Sequence, residues 1–345
     1  MRYTTGILSA LALAALASTP AAAQYMDRAD IEASAAKAGD FPSGPIDFVC
    51  TTRPGSSVAV WCQNLARGFS EELGVPVEVQ FKSGGSQHEP VLYLSEKPAD
   101  GLTMMHVSAS FYGYFHLPHY TKTYQDDFQF FAQVENHTYG VAVLKGNKWG
   151  IETFEDLVKV AKENCGKLSM GSNKIGSTHH RQQVSLLSAA GIGECVTYIP
   201  YGGDGDTVKD VMGGHIDVGH ASPRTWRPHL QAGTVIPLVM LLSDGRLDDR
   251  DWKDVRNVNE VGLDWQIPHH WQGLAVKKGT PQPIMDKLAL ALHNMYELDF
   301  FQEYLSAGTH LVLDIRDDRD WINEDMMKNQ AVVKEFMIEN KMIGQ

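Results

Sequence analysis

The chain has 345 residues, 43% of them hydrophobic and 21% charged, a composition typical of globular domains rather than of disordered segments. This length is sufficient for two domains. The formal net charge is −12, from 30 Lys and Arg against 42 Asp and Glu, which disfavours a nucleic acid as partner because nucleic acids are bound by clustered cations.

The first 23 residues predict a secretory signal peptide. Met1-Arg2 provide a positive start, residues 7–17 form an apolar run, and Ala21-Ala22-Ala23 resemble a cleavage site. The apolar run is too short to span a bilayer. We therefore expect a mature, soluble, exported chain that begins near Gln24.

From Ile46 onward, short apolar runs alternate with helical periodicity, a pattern typical of α/β layers with mainly parallel sheets. The first helix is the clearest, with apolar residues recurring on one face from Val58 to Leu73 before Gly74 ends it. The predicted strands and helices are, in turn, strands 75–81, 102–107, 141–144, 168–171, 196–200, 216–219, 235–242 and 273–276, and helices 58–73, 154–161, 178–190, 207–212, 281–298 and 317–339.

Two glycine-containing turns between a strand and a helix predict a two-sided anion site. They span residues 50–57 and 171–180. A helix N-terminus presents free N–H groups and the positive end of the macrodipole, and hydroxyls with a cation complete a seat for an anion. The candidate ligand contacts in these turns are Thr52, Arg53, Ser56, Ser57, Ser172, Ser177, Thr178 and His179.

Further candidates follow other predicted strands, where the ligands of open α/β sheets bind. They are Ser108, Tyr201, Gly202, Gly203, His220 and Ser222, with His88 in a second glycine-rich loop. The competing interpretation is that the hydroxyls are plain helix caps and the histidines plain core residues. Asp204 is predicted to cap the helix that follows it. His179 and His180 point in different directions from one helix, and His179 is the one expected to face the ligand.

Four cysteines stand in a chain expected to enter an oxidising compartment. Cys165 and Cys195 each precede one of two neighbouring strands, which favours a bridge between them. Two buried thiols remain the alternative, because sequence alone does not fix connectivity.

The order of several motifs resembles the substrate-binding receptors of tripartite tricarboxylate transporters, also called Bug-type receptors. The resemblance runs from Phe41 to the C-terminus, and its motifs are residues 41–46, 54–55, 100–103, 166–168, 171–180, 199–203, 213–217 and 273–281.

This family implies an α/β type II periplasmic binding-protein fold, in which two lobes are joined by two crossing strands. By analogy the crossings fall near residues 141–144 and 273–276. One lobe then comprises residues 42–142 plus 272–345, and the other 143–271.

The resemblance also implies a function: a periplasmic receptor, not an enzyme, that needs no cofactor or metal. Its partners would be a small organic carboxylate and the large and small membrane subunits of a transporter.

Departures from the family pattern bear on the ligand. Ala59 and Ala221 stand where many members have Asp, and Ser56 stands where many have Gly. Losing both carboxylates disfavours an amino acid, whose ammonium they would hold. Arg53 instead favours a di- or tricarboxylate or a sulfonated acid, because a guanidinium binds carboxylates in bidentate fashion.

A metal-binding receptor is the alternative, since the chain has 14 histidines. His116 and His119 stand three apart, and His179-His180 and His269-His270 are pairs. Adjacent histidines converge poorly on one ion, however. The interpretation as an enzyme has still less support, because the sequence has no Gly-x-Ser-x-Gly elbow after a strand and no phosphate-binding or dinucleotide fingerprint.

Overall fold

The computed structural model describes residues 27–344 except 123, 243, 244, 246, 248, 265–269, 308–310 and 317–318. The predicted signal peptide and His269 lie outside the described residues. Over the described range, no helix combines the length and apolar character needed to cross a bilayer.

Eleven strands of the described chain form two sheets. The first sheet contains β1 (Ile46–Cys50), β2 (Val77–Phe81), β3 (Thr103–Ser108), β4 (Phe128–His137), β10 (Trp271–Lys277) and β11 (Leu311–Arg316). Its spatial order is β11-β4-β10-β3-β1-β2. The second sheet contains β5 (Gly140–Leu144), β6 (Leu168–Ser172), β7 (Val196–Pro200), β8 (Val218–Ala221) and β9 (Val235–Met240). Its order is β7-β6-β8-β5-β9.

Helices cover both sheets. They are α1 (Arg28–Ala35), α2 (Ser57–Leu73), α3 (Gly84–Ser95), α4 (Phe111–Tyr114), α5 (Tyr124–Asp127), α6 (Phe154–Glu163), α7 (Thr178–Ala189), α8 (Asp204–Met212), α9 (Pro223–Gln231), α10 (Gln282–Met295), α11 (Asp299–Ala307) and α12 (Arg319–Glu339). Helix α2 has the predicted form: its apolar face is buried, and Gly74 ends it in the left-handed conformation at φ 69°.

Both sheets are mixed, whereas the sequence predicted mainly parallel sheets. Strand β1 is parallel to β2 and β3, and β6 is parallel to β7 and β8. The strands next to the crossings run the other way: β10 is antiparallel to β3 and β4, β11 to β4, and β5 to β8 and β9. The chain thus returns to the first sheet as β10, which runs against both of its neighbours.

The chain crosses between the sheets at two points. It leaves the first sheet through Thr138 and Tyr139, between β4 and β5, and returns just before β10. The two crossing segments are hydrogen-bonded, since the His137 N–H donates to the His270 carbonyl at 2.8 Å. We call the first sheet with α1–α5 and α10–α12 the first lobe, and the second sheet with α6–α9 the second lobe.

Each lobe contains one disulfide. Cys165–Cys195 is bridged, as the sequence predicted, and links the segments that enter β6 and β7. Cys50–Cys62, which the sequence analysis missed, ties the end of β1 to helix α2. The Cys50–Cys62 bridge therefore fixes the turn at residues 50–57, which contains the first group of candidate ligand contacts.

Replacing Cys165 and Cys195 together by serine should lower the free energy of unfolding by about 3–4 kcal/mol. The bridged positions are 30 residues apart, and the chain-entropy model assigns a loop of this size roughly that stabilisation. Urea denaturation of the wild type and the double variant measures the difference. Mass spectrometry after alkylation without reductant is the control, and labelling of both wild-type thiols would contradict the bridge.

Candidate functional site

Loops at the carboxyl ends of strands from both sheets meet between the lobes. The Lys174 ammonium, in the loop after β6, donates to the Thr51 carbonyl in the loop after β1 at 3.2 Å. The Thr178 N–H donates to Ser110 Oγ, in the loop after β3, at 3.2 Å. We call this contact zone the lobe interface. It is where the ligands of open α/β sheets are expected.

Arg181 of α7 joins the two lobes. Its Nη1 donates to the Gly176 carbonyl at 2.7 Å, and its Nη2 donates to the Ala109 carbonyl at 2.9 Å and to Thr178 Oγ1 at 3.1 Å. Burial lowers the pKa of Arg181 to about 10, so the side chain stays charged at neutral pH. None of these hydrogen-bond acceptors is a carboxylate. The lobe interface thus contains a buried cation held by neutral groups.

A second cation lies nearby. Burial, with the neighbouring Arg53 cation, lowers the pKa of Lys174 to about 8. Glu89 opposes this lowering, and the Lys174 side chain is half-buried. A ligand carboxylate that reached Lys174 would stabilise its charged form.

Four rings pack together at the crossing from the first lobe to the second. We call Tyr139, His179, His220 and His270 the imidazole cluster. The centroid of the Tyr139 ring lies 4.1 Å from His179, 5.5 Å from His220 and 4.9 Å from His270. His179 lies 4.8 Å from His270 by the same measure. The predicted ligand residues His179 of α7 and His220 of β8 are therefore neighbours.

Polar groups of the second lobe hold the edge of this cluster. His220 Nδ1 and Ser172 Oγ are hydrogen-bonded at 3.0 Å. Asp204 Oδ1 lies 3.7 Å from His179 Nε2, and its Oδ2 accepts from the Ser222 N–H at 2.9 Å. Four predicted site residues, Ser172, His179, His220 and Ser222, are thus connected through direct contacts or through Asp204.

Burial keeps three members of the cluster uncharged, since it also raises the pKa of Tyr139 well above 10. It lowers the pKa of His220 to about 3 and that of His179 well below 6.5. Burial also raises the pKa of Asp204, which two hydrogen bonds with Ser222 oppose. At neutral pH each of the two histidines therefore presents one donor and one acceptor nitrogen.

The predicted residues of the first turn face the loop after β7. Ser56 caps α2 by accepting from the Ala59 N–H at 3.1 Å, and Thr52 Oγ1 lies 3.1 Å from its hydroxyl. A methyl group added to Gly203 would lie 3.5 Å from Ser56 Cβ and 3.6 Å from Thr52 Oγ1. Ser57, the first residue of α2, is buried beside them. The first turn and the loop after β7 therefore approach each other across the lobe interface.

Arg53 lies at the outer rim of the same interface. A methyl group added to Gly202 would lie 2.7 Å from Arg53 Cζ, so the guanidinium packs over this loop. Its Nη1 is 3.4 Å from Asp206 Oδ2, with the two side chains 63% and 48% exposed. The structure thus places Arg53 across the lobe interface, paired with an acid of the second lobe.

The second turn contains both a cap and an interface residue. Ser177 caps α7 by accepting from the His180 N–H at 3.1 Å. Thr178 Oγ1 lies 3.4 Å from Ser110 Oγ. The Ser110 N–H in turn donates to Ser108 Oγ at 3.3 Å. The adjacent histidines diverge as predicted: His180 stacks on Tyr198 at 3.9 Å between centroids, while His179 joins the imidazole cluster.

Two predicted residues make their contacts elsewhere. His88 Nε2 lies 3.2 Å from Thr121 Oγ1, and its ring packs 4.7 Å from that of Tyr120. The Tyr201 hydroxyl donates to Asp210 at 2.6 Å. Both side chains are held by their own lobe.

Sequence reasoning missed several residues of the interface. Lys174 lies inside the second turn but is not among the predicted contacts. Asp204 is predicted to cap the helix that follows it, but Gly203 is the N-cap of α8 and the Asp204 carboxylate accepts from the Ser222 N–H instead. Arg181 had a usable signal, because it lies three residues after Thr178 and so shares its helix face. Tyr139 and His270 gave none, since only the two crossings bring them together.

The histidines of the metal-binding alternative have other partners. His116 Nε2 lies 2.9 Å from the Gln330 carbonyl, and His119 Nε2 lies 2.9 Å from the Gly85 carbonyl. Among the described residues, no three His, Cys, Asp or Glu side chains are grouped as a metal would require.

Two α/β lobes, joined by two crossings and meeting through polar strand-end loops, define a solute-binding protein of the two-lobed type. The chain belongs to the family described as "Tripartite tricarboxylate transporter family receptor", whose profile matches residues 62–338. This is the family that the sequence motifs resembled, and its members are receptors rather than enzymes. The matched range begins after the first turn, at Cys62.

Relatives align over most of the chain. The "UPF0065 protein in gbd 5'region" of Cupriavidus necator is 28% identical over 304 residues, which are 87% of this chain and 85% of that protein. Protein BugT of Bordetella pertussis is 23% identical over 308 residues, which are 88% of this chain and 92% of BugT.

Solved structures share the fold. "R. palustris Rpa4515 with adipate" superimposes with a TM-score of 0.78 at 18% identity, over 88% of this chain and 99% of that one. The periplasmic binding protein BugD gives 0.78 at 19% identity, over 88% and 100%. "MatC (Rpa3494) from Rhodopseudomonas palustris with bound malate" gives 0.74 at 19% identity, over 85% and 100%. The two-lobed α/β fold predicted from the sequence is confirmed.

Proposed function

We propose that the protein is a periplasmic receptor that captures a small organic anion between its lobes and delivers it to the membrane subunits of a tripartite tricarboxylate-type transporter. The anion is a di- or tricarboxylate or a related acid. The observation that carries this proposal is the lobe interface, where two helix-opening turns meet beside the cations Lys174 and Arg181, neither of which bonds a carboxylate among the described residues. The structures with bound adipate and malate support the ligand class.

The periplasmic location rests on the predicted signal peptide, residues 1–23, and on the family. We also propose that residues 42–142 with 272–345 form one lobe and 143–271 the other. The two sheets support this division to within a few residues, because Gly140 and Val141 already pair within the second sheet. The division makes the ligand a bridge between two bodies, so that bound ligand favours the closed arrangement through contacts that only closure provides.

The predicted ligand contacts belong to this proposal. They are Thr52, Arg53, Ser56, Ser57, His88, Ser108, Ser172, Ser177, Thr178, His179, Tyr201, Gly202, Gly203, His220 and Ser222.

Fluorescence-based thermal shift and titration calorimetry with a panel of carboxylates, amino acids and Zn²⁺ test the function. A response to Zn²⁺ alone, abolished by a chelator, would favour the metal receptor, and turnover of an ester would favour an enzyme.

Replacing Arg53 by alanine should weaken carboxylate binding about ten- to a hundredfold. A charge-assisted hydrogen bond to a carboxylate contributes about 1.5–3 kcal/mol, which corresponds to that range. Asp206→Ala is the matched control, because an exposed ion pair is worth only about 0–1 kcal/mol. Calorimetry with the best acid of the panel measures both. Equal, small effects of the two variants would remove Arg53 from the site and leave it as a rim ion pair.

A further inference from the structure

The imidazole cluster has buried polar atoms without hydrogen-bond partners. They are Tyr139 Oη and His179 Nδ1 and Nε2. Thr207 Oγ1, one helical turn after Asp204, is in the same condition. All of these side chains are almost fully buried. Native proteins leave few buried polar atoms unpaired, because each loses its hydrogen bonds to water. A concentration of them in one place indicates that a ligand completes the set.

The unpaired atoms can donate as well as accept. The Tyr139 hydroxyl does both, and a neutral imidazole has one nitrogen of each kind. An ionised carboxylate only accepts hydrogen bonds, so it would leave the acceptor atoms of the cluster without partners. A neutral group such as a hydroxyl or an amide uses donors and acceptors together.

The acidic group beside the cluster also disfavours a carboxylate there. The cations of the lobe interface are directed at main-chain carbonyls: Lys174 at that of Thr51, and Arg181 at those of Ala109 and Gly176. The acidic group beside the cluster is Asp204, with Oδ1 only 3.7 Å from His179 Nε2. Arg181 and Lys174 also act on His179 and lower its pKa, but a carboxylate placed beside His179 would meet the carboxyl group of Asp204 in a buried region.

We propose that the imidazole cluster receives an uncharged, hydrogen-bonding end of the ligand, while a carboxylate at the other end lies towards Arg53 and Lys174. The inference rests on the proposed receptor function and departs from its di- or tricarboxylate ligand, because it leaves the ligand a carboxylate only at the end towards Arg53 and Lys174. The ligand class becomes a carboxylic acid whose far end is a hydroxyl, a phenol or a carboxamide.

Matched acids of equal length test the ligand class. Calorimetry compares adipate with its monoamide and with 6-hydroxyhexanoate, and terephthalate with its monoamide and with 4-(hydroxymethyl)benzoate. The neutral-ended acid of the best pair should bind at least tenfold more tightly. Tighter binding of the diacid in every pair would overturn the inference and leave the receptor function standing. Failure of all the acids to bind would contradict the receptor function itself, and the inference with it.

Tyr139→Phe tests the cluster directly. The variant removes only the hydroxyl and should weaken the neutral-ended acid about tenfold. Tyr296→Phe is the matched control, because the Tyr296 hydroxyl is also buried without a partner but lies in the core of the first lobe. Equal affinities of the wild type and the Tyr139 variant, with both proteins folded by circular dichroism, would remove the cluster from the ligand site.

Discussion

Replacing Gly113 by alanine should weaken ligand binding roughly a hundredfold while both lobes stay folded. Gly113 lies on α4 of the first lobe, and a methyl group there would come within 2.3 Å of the Gly176 carbonyl oxygen and 2.6 Å of Arg181 Nη1. Both atoms belong to the second lobe. Because the nearest is a backbone atom, no rotamer change relieves the clash. Overpacking of this kind typically costs about 1–3 kcal/mol, and its upper end corresponds to a hundredfold change in affinity.

The clash opposes closure rather than folding, which makes the expected result specific. Calorimetry should show the loss of affinity, and the melting temperature without ligand should change little. Gly44→Ala is the matched control, since a methyl group there meets no atom within 4 Å. Undiminished affinity of the Gly113 variant would mean that ligand binding does not use the lobe contact seen here.

Acidification should destabilise the protein steeply. Burial lowers the pKa of His220 and that of His106 to about 3 each. The unfolded chain binds these protons near pH 6.5, so between pH 6.5 and about 3 it holds more protons than the folded chain. Their stabilisation is therefore present above pH 6.5 and is lost as the pH falls. Each histidine should cost roughly 2 kcal/mol between pH 6.5 and 4.5, a large part of a typical stability of about 5–15 kcal/mol.

Urea denaturation at a series of pH values measures this loss without ligand. His220→Asn keeps a short polar side chain beside Ser172 but cannot titrate, so its loss over the same range should be smaller by roughly 2 kcal/mol. His215→Asn, at an exposed position, is the control. Parallel pH profiles of the wild type and His220→Asn would show that His220 does not contribute to acid sensitivity.

Local sequence patterns predicted the elements that bury one face. The apolar spacing of α2 and the glycine after it specified both its extent and its end. Strand β4 was missed for the opposite reason: it lies between β10 and β11 and is buried on both faces, so its residues show no alternation. Helix α3 contains Pro90 and left-handed residues at 85–87, which a periodicity argument excludes. The antiparallel pairings depend on the two crossings, and these join distant parts of the chain.

The candidate site was predictable where one turn supplies its residues. The turns at 50–57 and 171–180 contain Thr52, Ser56 and Thr178, which the structure brings to the lobe interface. What could not be predicted is the direction of single side chains. In the sequence, His88 and Arg53 are both polar residues close to glycines. In the structure, His88 packs against Tyr120 of its own lobe, whereas Arg53 reaches Asp206 of the other lobe.

The position of β10 fixes an order of assembly. The second sheet is built from one continuous stretch, Gly140 to Met240, and needs no later residue to complete its strands. The first sheet needs Trp271–Lys277 between β3 and β4, two strands that do not pair with each other. During synthesis the edges of β3 and β4 that later pair with β10 therefore stay uncovered until Trp271–Lys277 has emerged. Uncovered strand edges are sites of aggregation, so the receptor is most vulnerable in that interval.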